Sequence, residues 1–178
     1  MILISGGHYP GKVGASYDGF NEFPTTMVWA HDTMVLLERM GLPASLVPSG
    51  TLTKKVQFIN DFDARGQAVW CAIEIHFNAG GGQGTETLYY PGSVLGEKYA
   101  QAVQDQLWPV FGKDRGVKEG WYQQDKSKGT LHFLKATHCP SIIVKPESIE
   151  HHKDIIQKRK EGCAAIAEAL YAVAHGNI

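Results

Sequence analysis

Short apolar runs alternate with amphipathic segments along the whole chain. The longest apolar run, 68–76 (AVWCAIEIH), has the continuous hydrophobicity of a strand that is covered on both faces. The segments between the runs repeat apolar residues every three or four positions, which is typical of helices that pack one face on a core. Predicted strands are 2–5, 44–48, 68–76, 85–90 and 141–145, and predicted helices run from 24 to a stop at 41, from 52 to a stop at 66, from 94 to 110 and from about 153 to 175.

This alternation predicts an α/β fold, a single domain with a central, twisted, mostly parallel sheet flanked by helices. No linker, internal repeat or low-complexity segment interrupts the 178 residues, so we expect one domain over 1–178. The polar, glycine-containing segment 113–129 is expected to be a surface loop beside the functional site.

Composition narrows the possible partners. Hydrophobic residues at 43%, charged residues at 20% and a formal net charge of -1 are typical of an ordinary globular protein, and the dispersed basic residues argue against nucleic acid. Cys71, Cys139 and Cys163 are widely spaced, so we expect buried thiols and neither disulfides nor a thiolate zinc site. Without a signal-like start or a long apolar run, the chain is expected to be made in the cytoplasm, with no export route of its own and no membrane partner.

Two histidines and a carboxylate stand where the predicted strands end. His8 follows the first strand, His76 ends the central strand, and Glu22 stands just before the first helix. In an open α/β sheet such residues converge at the carboxyl edge of the strands. Two imidazoles and a carboxylate, with a fourth position left for water, are common donors in hydrolytic zinc sites. The sequence therefore predicts one Zn²⁺ bound by His8, Glu22 and His76, although the HExxH signature is absent.

Three segments that contain these residues also resemble a known family. GGHYPGKVGASYDGFNE at 6–22, IEIHFNAGGGQGTETLYY at 73–90 and DRGVK at 114–118 are similar to the zinc-dependent N-acetylmuramoyl-L-alanine amidases of bacterial cell-wall enzymes and phage endolysins. The resemblance runs nearly end to end. It implies that His8, Glu22 and His76 are the metal ligands and that Asn78 is a conformational or substrate-binding residue of the same loop.

The chain departs from that family at one position. The family's last strand usually ends in a glutamate close to the zinc, taken to be the general base, whereas PSIIV at 140–144 is followed here by Lys145. A lysine side chain is a protonated ammonium at neutral pH. It could act as a base only as the neutral amine, which requires its pKa to fall far below the usual value of about 10.4. Glu147 lies two residues further on, displaced by about 6.5 Å if the strand continues.

Three interpretations of this departure stay open. Lys145 is an inactivating substitution, natural or engineered; or Glu147 is a displaced base; or the register differs and zinc with other groups suffices. An ion pair between Lys145 and Glu147 is compatible with the first interpretation. Glu74 adds a carboxylate on the face of His76, expected to be a buried hydrogen-bonded partner rather than a second base.

The resemblance implies hydrolysis of the amide bond between N-acetylmuramic acid and L-alanine in peptidoglycan, weakened by Lys145. The expected protein is a monomeric phage or prophage lysin that reaches the wall through a separate pore and has no separate cell-wall-binding domain. The main alternative is a catalytically silent, murein-binding module, and a zinc carboxypeptidase is a weaker rival.

Overall fold

The computed structural model describes residues 1–177 as an α/β domain built on a six-stranded sheet. The strands are β1 (Ile2–Gly6), the short pair β2 (Ser16–Tyr17) and β3 (Phe20–Asn21), β4 (Ala44–Leu46), β5 (Cys71–Ile75), β6 (Thr85–Tyr89), β7 (Asp114–Glu119) and β8 (Ser141–Lys145). The helices are α1 (Glu22–Arg39), α2 (Leu52–Ala64), α3 (Val94–Phe111), α4 (His132–Ala136), α5 (His152–Gln157) and α6 (Arg159–Ala174), with 3₁₀ turns at Tyr122–Gln124, Lys126–Lys128 and Ile149–His151.

The sheet has the order β4-β1-β5-β8-β6-β7, and its first four strands are parallel. Strand β6 pairs antiparallel with β8 and parallel with the edge strand β7. The predicted single domain with a mostly parallel central sheet is therefore confirmed. Parallel pairing puts the carboxyl ends of β1, β5 and β8 side by side at one edge of the sheet.

Helices cover both faces of this sheet, which explains why its strands read as continuous apolar runs. On one face, Ile2, Ile4, Ile73 and Ile75 pack against α1, α3 and α6. On the other face, Leu3 and the alternate residues of β5 and β8 pack against α2 and α4. Among residues 1–177, no helix combines the length and apolar character that crossing a membrane requires.

Several predicted boundaries were wrong. The segment 113–129 is not all loop, because Asp114–Glu119 forms β7 at the sheet edge. Its six residues lack the apolar alternation of a strand, since an edge strand covered on one side needs little hydrophobicity. The expected C-terminal helix is broken at Lys158 into α5 and α6. Cys71 and Cys163 are buried as predicted, whereas Cys139 is only half-buried.

Candidate metal centre

The loop after β1 presents His8 in a backbone conformation that side chains rarely adopt. His8 has φ 64°, in the left-handed region, which costs about 1–3 kcal/mol for a non-glycine residue and is typical of functional sites. The preceding Gly7 donates its N–H to the carbonyl of Ile75 at 2.7 Å. A Cβ at Gly7 would lie 2.5 Å from the ring of His76, so only glycine fits between the two histidines. The Gly7–His8 pair thus brings one imidazole beside the end of β5.

Glu22, the first residue of α1, joins the two histidines. Its side chain is buried, with 2% of the residue exposed, and each carboxylate oxygen has two partners. Oε2 lies 3.0 Å from Nε2 of His8 and accepts the N–H of Ala15 at 2.8 Å. Oε1 lies 3.0 Å from Nδ1 of His76 and accepts the N–H of Phe77 at 3.0 Å. The carboxylate is therefore fixed between the two rings.

His76 follows β5 and completes the group. Its ring meets that of His8 edge to face, with 4.9 Å between the ring centroids. One donor atom from each of His8, Glu22 and His76 lies within 4.8 Å of the others. The structure thus brings together all three residues that the sequence predicted as metal ligands.

The donor set fits a zinc ion. Tetrahedral zinc with bonds of about 2.1 Å places its ligand atoms about 3.4 Å apart, which is close to the two 3.0 Å contacts of Glu22. Side-chain exposures of 23% for His8 and 19% for His76 leave one side of the group open to a fourth ligand. His8, Glu22 and His76 are therefore the residues that could hold a metal.

The electrostatics keep Glu22 ionised. Burial by itself raises the pKa of Glu22, but hydrogen bonds from His76 and His8 outweigh burial and hold that pKa far below its usual range. Burial lowers the pKa of His76, whereas attraction to Glu74 and the hydrogen bond to Glu22 raise it to about 9. Glu22 is thus an ionised carboxylate held between the two imidazoles.

Lys145 ends β8 beside this centre but is turned into a separate ion-pair cluster. The N–H of His76 donates to the carbonyl of Val144, which sets the two strand ends level. The Lys145 ammonium lies 3.0 Å from Oε1 of Glu86 and donates to Oδ1 of Asn78 at 3.1 Å. Lys145 therefore pairs with Glu86 and not with Glu147, the partner that the sequence left open.

Glu86 in turn has three cationic neighbours. Besides Lys145, its carboxylate lies 2.7 Å from Lys118 and 3.4 Å from Arg115, both on β7. Burial raises the pKa of Glu86, but attraction to Lys145 and Lys118 overcomes it and lowers that pKa to about 2. One carboxylate facing three cations leaves a local excess of two positive charges.

Glu147 is fully buried in the backbone that follows β8. Its Oε1 accepts the N–H groups of Gly84 and Ser148, both at 2.7 Å, and its carbonyl accepts the N–H of Asn78 at 3.0 Å. This pattern favours a structural role, in which Glu147 ties both ends of the single loop between β5 and β6 to the backbone that follows β8. Asn78, which the resemblance implied to be a conformational or substrate-binding residue, is 8% exposed and accepts a hydrogen bond from Lys145.

A cavity of about 430 Å³ opens next to His8 and His76. Its walls are formed by 50–53 at the start of α2 and by 131–133 at the start of α4. Lys55 and Glu74 also line it, and they form an ion pair of 3.1 Å. Sequence reasoning missed Lys55, although it lies four positions before the buried Ile59 and hence on the inner face of α2.

Sequence comparisons find relatives of this chain among known proteins. The sequence profile of the N-acetylmuramoyl-L-alanine amidase family matches residues 2–173. The N-acetylmuramoyl-L-alanine amidase CwlM of Bacillus licheniformis is 27% identical over 158 residues, which are 86% of this chain and 58% of that protein. The chain thus spans little more than half the length of that relative.

Solved structures show the same fold. The catalytic domain of CwlV, an N-acetylmuramoyl-L-alanine amidase from Paenibacillus polymyxa, has a TM-score of 0.81 at 18% identity, covering 98% of this chain and 97% of that one. An N-acetylmuramoyl-L-alanine amidase from Clostridium difficile 630 has a TM-score of 0.82 at 17% identity, covering 98% and 96%.

Proposed function

The chain belongs to the N-acetylmuramoyl-L-alanine amidase family, and on that premise we propose that it hydrolyses the amide bond between N-acetylmuramic acid and L-alanine in peptidoglycan with the help of one zinc ion. The observation that carries the proposal is the buried Glu22 carboxylate, which lies 3.0 Å from an imidazole nitrogen on each side. A hydrogen-bonded, ionised carboxylate between two imidazoles is a donor set suited to zinc.

His8, Glu22 and His76 hold the metal in this proposal. When bound, zinc supplies a Lewis acid for the substrate carbonyl and lowers the pKa of a bound water. The cavity beside His8 and His76 receives the part of the substrate next to the scissile bond, and the start of α2 forms one of its walls.

The position implied for the general base is occupied by a lysine. Amide hydrolysis needs a group that takes a proton from water and passes it to the leaving amine, a contribution of about a hundredfold to ten-thousandfold in rate. Lys145 stands at the position where the family resemblance implies that group, and its ammonium donates to Asn78 and pairs with Glu86. We therefore propose that the chain cleaves peptidoglycan slowly.

The same contact favours a second candidate, a module that binds murein and does not cleave it. In that case the Lys145–Glu86 ion pair, at 3.0 Å, has a structural role, and no residue at the end of β8 takes part in cleavage. A zinc carboxypeptidase is a third and weaker candidate, and nothing in the cavity argues for it. The predicted phage origin, the monomeric state and the release to the wall through a separate pore stay predictions from the sequence.

Product analysis distinguishes these candidates. Purified murein is incubated with the zinc-loaded chain, and soluble products are identified by mass spectrometry and by labelling of new amino termini. The amidase predicts slow release of intact stem peptides that begin with L-alanine, and no release by His76→Ala. Sedimentation of the protein with murein without any product would support the binding module. Release of C-terminal amino acids alone would support the carboxypeptidase.

A further inference from the structure

A buried ion pair lies directly behind one of the metal-binding histidines. Lys55 on α2 is 2% exposed and Glu74 on β5 is 3% exposed, and Nζ of Lys55 lies 3.1 Å from Oε1 of Glu74. Removing both charges from water is expensive, and their mutual attraction rarely repays the cost by itself. The pair therefore calls for a role other than stability.

The second oxygen of Glu74 reaches the metal centre. Oε2 lies 2.9 Å from Nε2 of His76, while Nδ1 of the same ring lies 3.0 Å from Glu22. The two ring nitrogens thus face two different carboxylates. Nδ1 is the nitrogen on the side of Glu22 and His8, where a metal would bind, and this leaves Nε2 to carry a proton that Glu74 can accept.

Lys55 holds the Glu74 carboxylate in place through its other oxygen, Oε1. Its ammonium also donates to the carbonyl of Gly6, the last residue of β1, two positions before His8. Strands β1 and β5 are neighbours, with Ser5 opposite Glu74. One ammonium therefore ties the end of β1 to Glu74, and with Oε1 held by Lys55, Oε2 points at His76.

We propose that Lys55 and Glu74 are positioning residues that set the ring orientation and tautomer of His76, so that Nδ1 binds the metal. The inference rests on the metal site of the proposed function. Outer partners of this kind are worth about 10- to 100-fold in metal affinity. The same geometry removes Glu74 from the general-base role, because its carboxylate lies on the side of the His76 ring away from Glu22.

The test measures zinc affinity by competition with a chromophoric chelator, on full-length protein. The variants are Glu74→Gln, which keeps the side-chain size, Lys55→Met, and the double variant. Lys54→Met is the matched control, since Lys54 is the exposed neighbour on the same helix. We expect Glu74→Gln and Lys55→Met each to weaken zinc binding about 10- to 100-fold. The double variant should lose no more than Glu74→Gln, and Lys54→Met should match the parent.

A second readout is specific to the positioning role. Histidine ¹⁵N NMR of the zinc-loaded parent should show His76 coordinated through Nδ1 with a proton on Nε2, and in Glu74→Gln the Nε2–H signal should shift or broaden. Circular dichroism identifies variants that are folded, and Glu74→Gln carries the test if Lys55→Met does not fold. Unchanged zinc affinity in folded Glu74→Gln, or coordination through Nε2 in the parent, would overturn the proposal.

The two failures are distinguishable. A parent that binds no zinc overturns the metal site and this inference together. A parent that binds zinc through His76, with Glu74→Gln equal to it, overturns the inference alone. A parent that binds zinc and needs Glu74, but releases no stem peptide from murein, overturns the amidase activity and supports the positioning role.

Discussion

Replacing Lys145 by glutamate should speed the peptidoglycan hydrolysis that we propose for this chain. The change puts a carboxylate at the end of β8, where the resemblance implies the general base, beside the strand end that carries His76. A general base is worth about a hundredfold to ten-thousandfold in rate, or about 2.7–5.4 kcal/mol of activation free energy. We expect Lys145→Glu to release product from murein faster than the parent by a factor within that range.

The structure indicates that the fold tolerates this change. Lys145 has a side chain that is 23% exposed, so the loss of its ion pair with Glu86 costs on the order of 1 kcal/mol, which is small beside the roughly 5–15 kcal/mol that stabilise a domain. The local charge falls by two units, from an excess of two positive charges to none, because Lys118 and Arg115 remain next to Glu86. Loss of the Lys145 charge and repulsion from the new carboxylate both raise the pKa of Glu86, against the opposing pull of Lys118.

The assay is dye release from labelled, purified murein at equal zinc content, with four proteins. Lys145→Gln separates loss of the positive charge from gain of a base, and it should stay within about tenfold of the parent, below the usual worth of a base. Glu147→Gln tests the displaced base, and since Glu147 is fully buried we expect any loss of activity to accompany a loss of stability. Equal rates for Lys145→Glu and Lys145→Gln would refute the reasoning, and an active parent abolished by a folded Glu147→Gln would identify Glu147 as the base.

Three further predictions follow from the same contacts. Protein purified without chelator should contain about one zinc per chain by elemental analysis, and zinc that survives loss of both His8 and His76 would contradict the site. Complete chelation should lower the melting temperature by roughly 5–10 °C relative to protein at a free zinc concentration about 100 times Kd, measured by calorimetry, without unfolding the chain, since such binding adds about 2.7 kcal/mol. Because Lys145 and Lys118 hold the pKa of Glu86 at about 2 against an ordinary 4.5, its contribution is present above pH 4.5 and is lost as pH falls towards 2. Urea titrations should therefore show Glu86→Gln less stable than the parent above pH 4.5 and equal to it near pH 2, and a difference that persists at the acid end would refute the pairing.

The fold was predictable because its strands are buried on both faces and carry strong apolar runs. Strand β7 was not predicted because its sequence, DRGVKE, has no such run. Its place in the sheet depends on pairing with β6, which lies far away in the chain. The break at Lys158 was also hidden, since α5 and α6 share a nearly continuous apolar stripe. Periodicity reports burial, and it carries little information on edge strands or on one-residue breaks.

That His8, Glu22 and His76 lie together was predictable because each stands next to the end of a strand or the start of a helix. The contacts made by neighbouring polar residues could not be predicted in the same way. A glutamate inside an otherwise apolar strand, as at Glu74, signals a buried partner, but the sequence does not say that the partner is Lys55, which comes from a helix 19 residues earlier. The same holds for Lys145, whose partner Glu86 is set by the antiparallel register of β8 with β6.

The three predicted metal ligands and Lys145 belong to different clusters of contacts at this edge of the sheet. His8, Glu22 and His76 are held by β1, β5 and α1, with Lys55 and Glu74 behind them, and none of these contacts involves Lys145. Lys145 belongs to a cluster on β6, β7 and β8, in which Glu86 is its acidic partner. We therefore expect substitutions of Lys145 to change proton transfer and to leave metal binding unchanged. Under the proposed function, one chain can therefore keep the three donors expected of a zinc site while a lysine stands at the position of the base. Whether the parent chain releases product from murein distinguishes a slow amidase from a binding module.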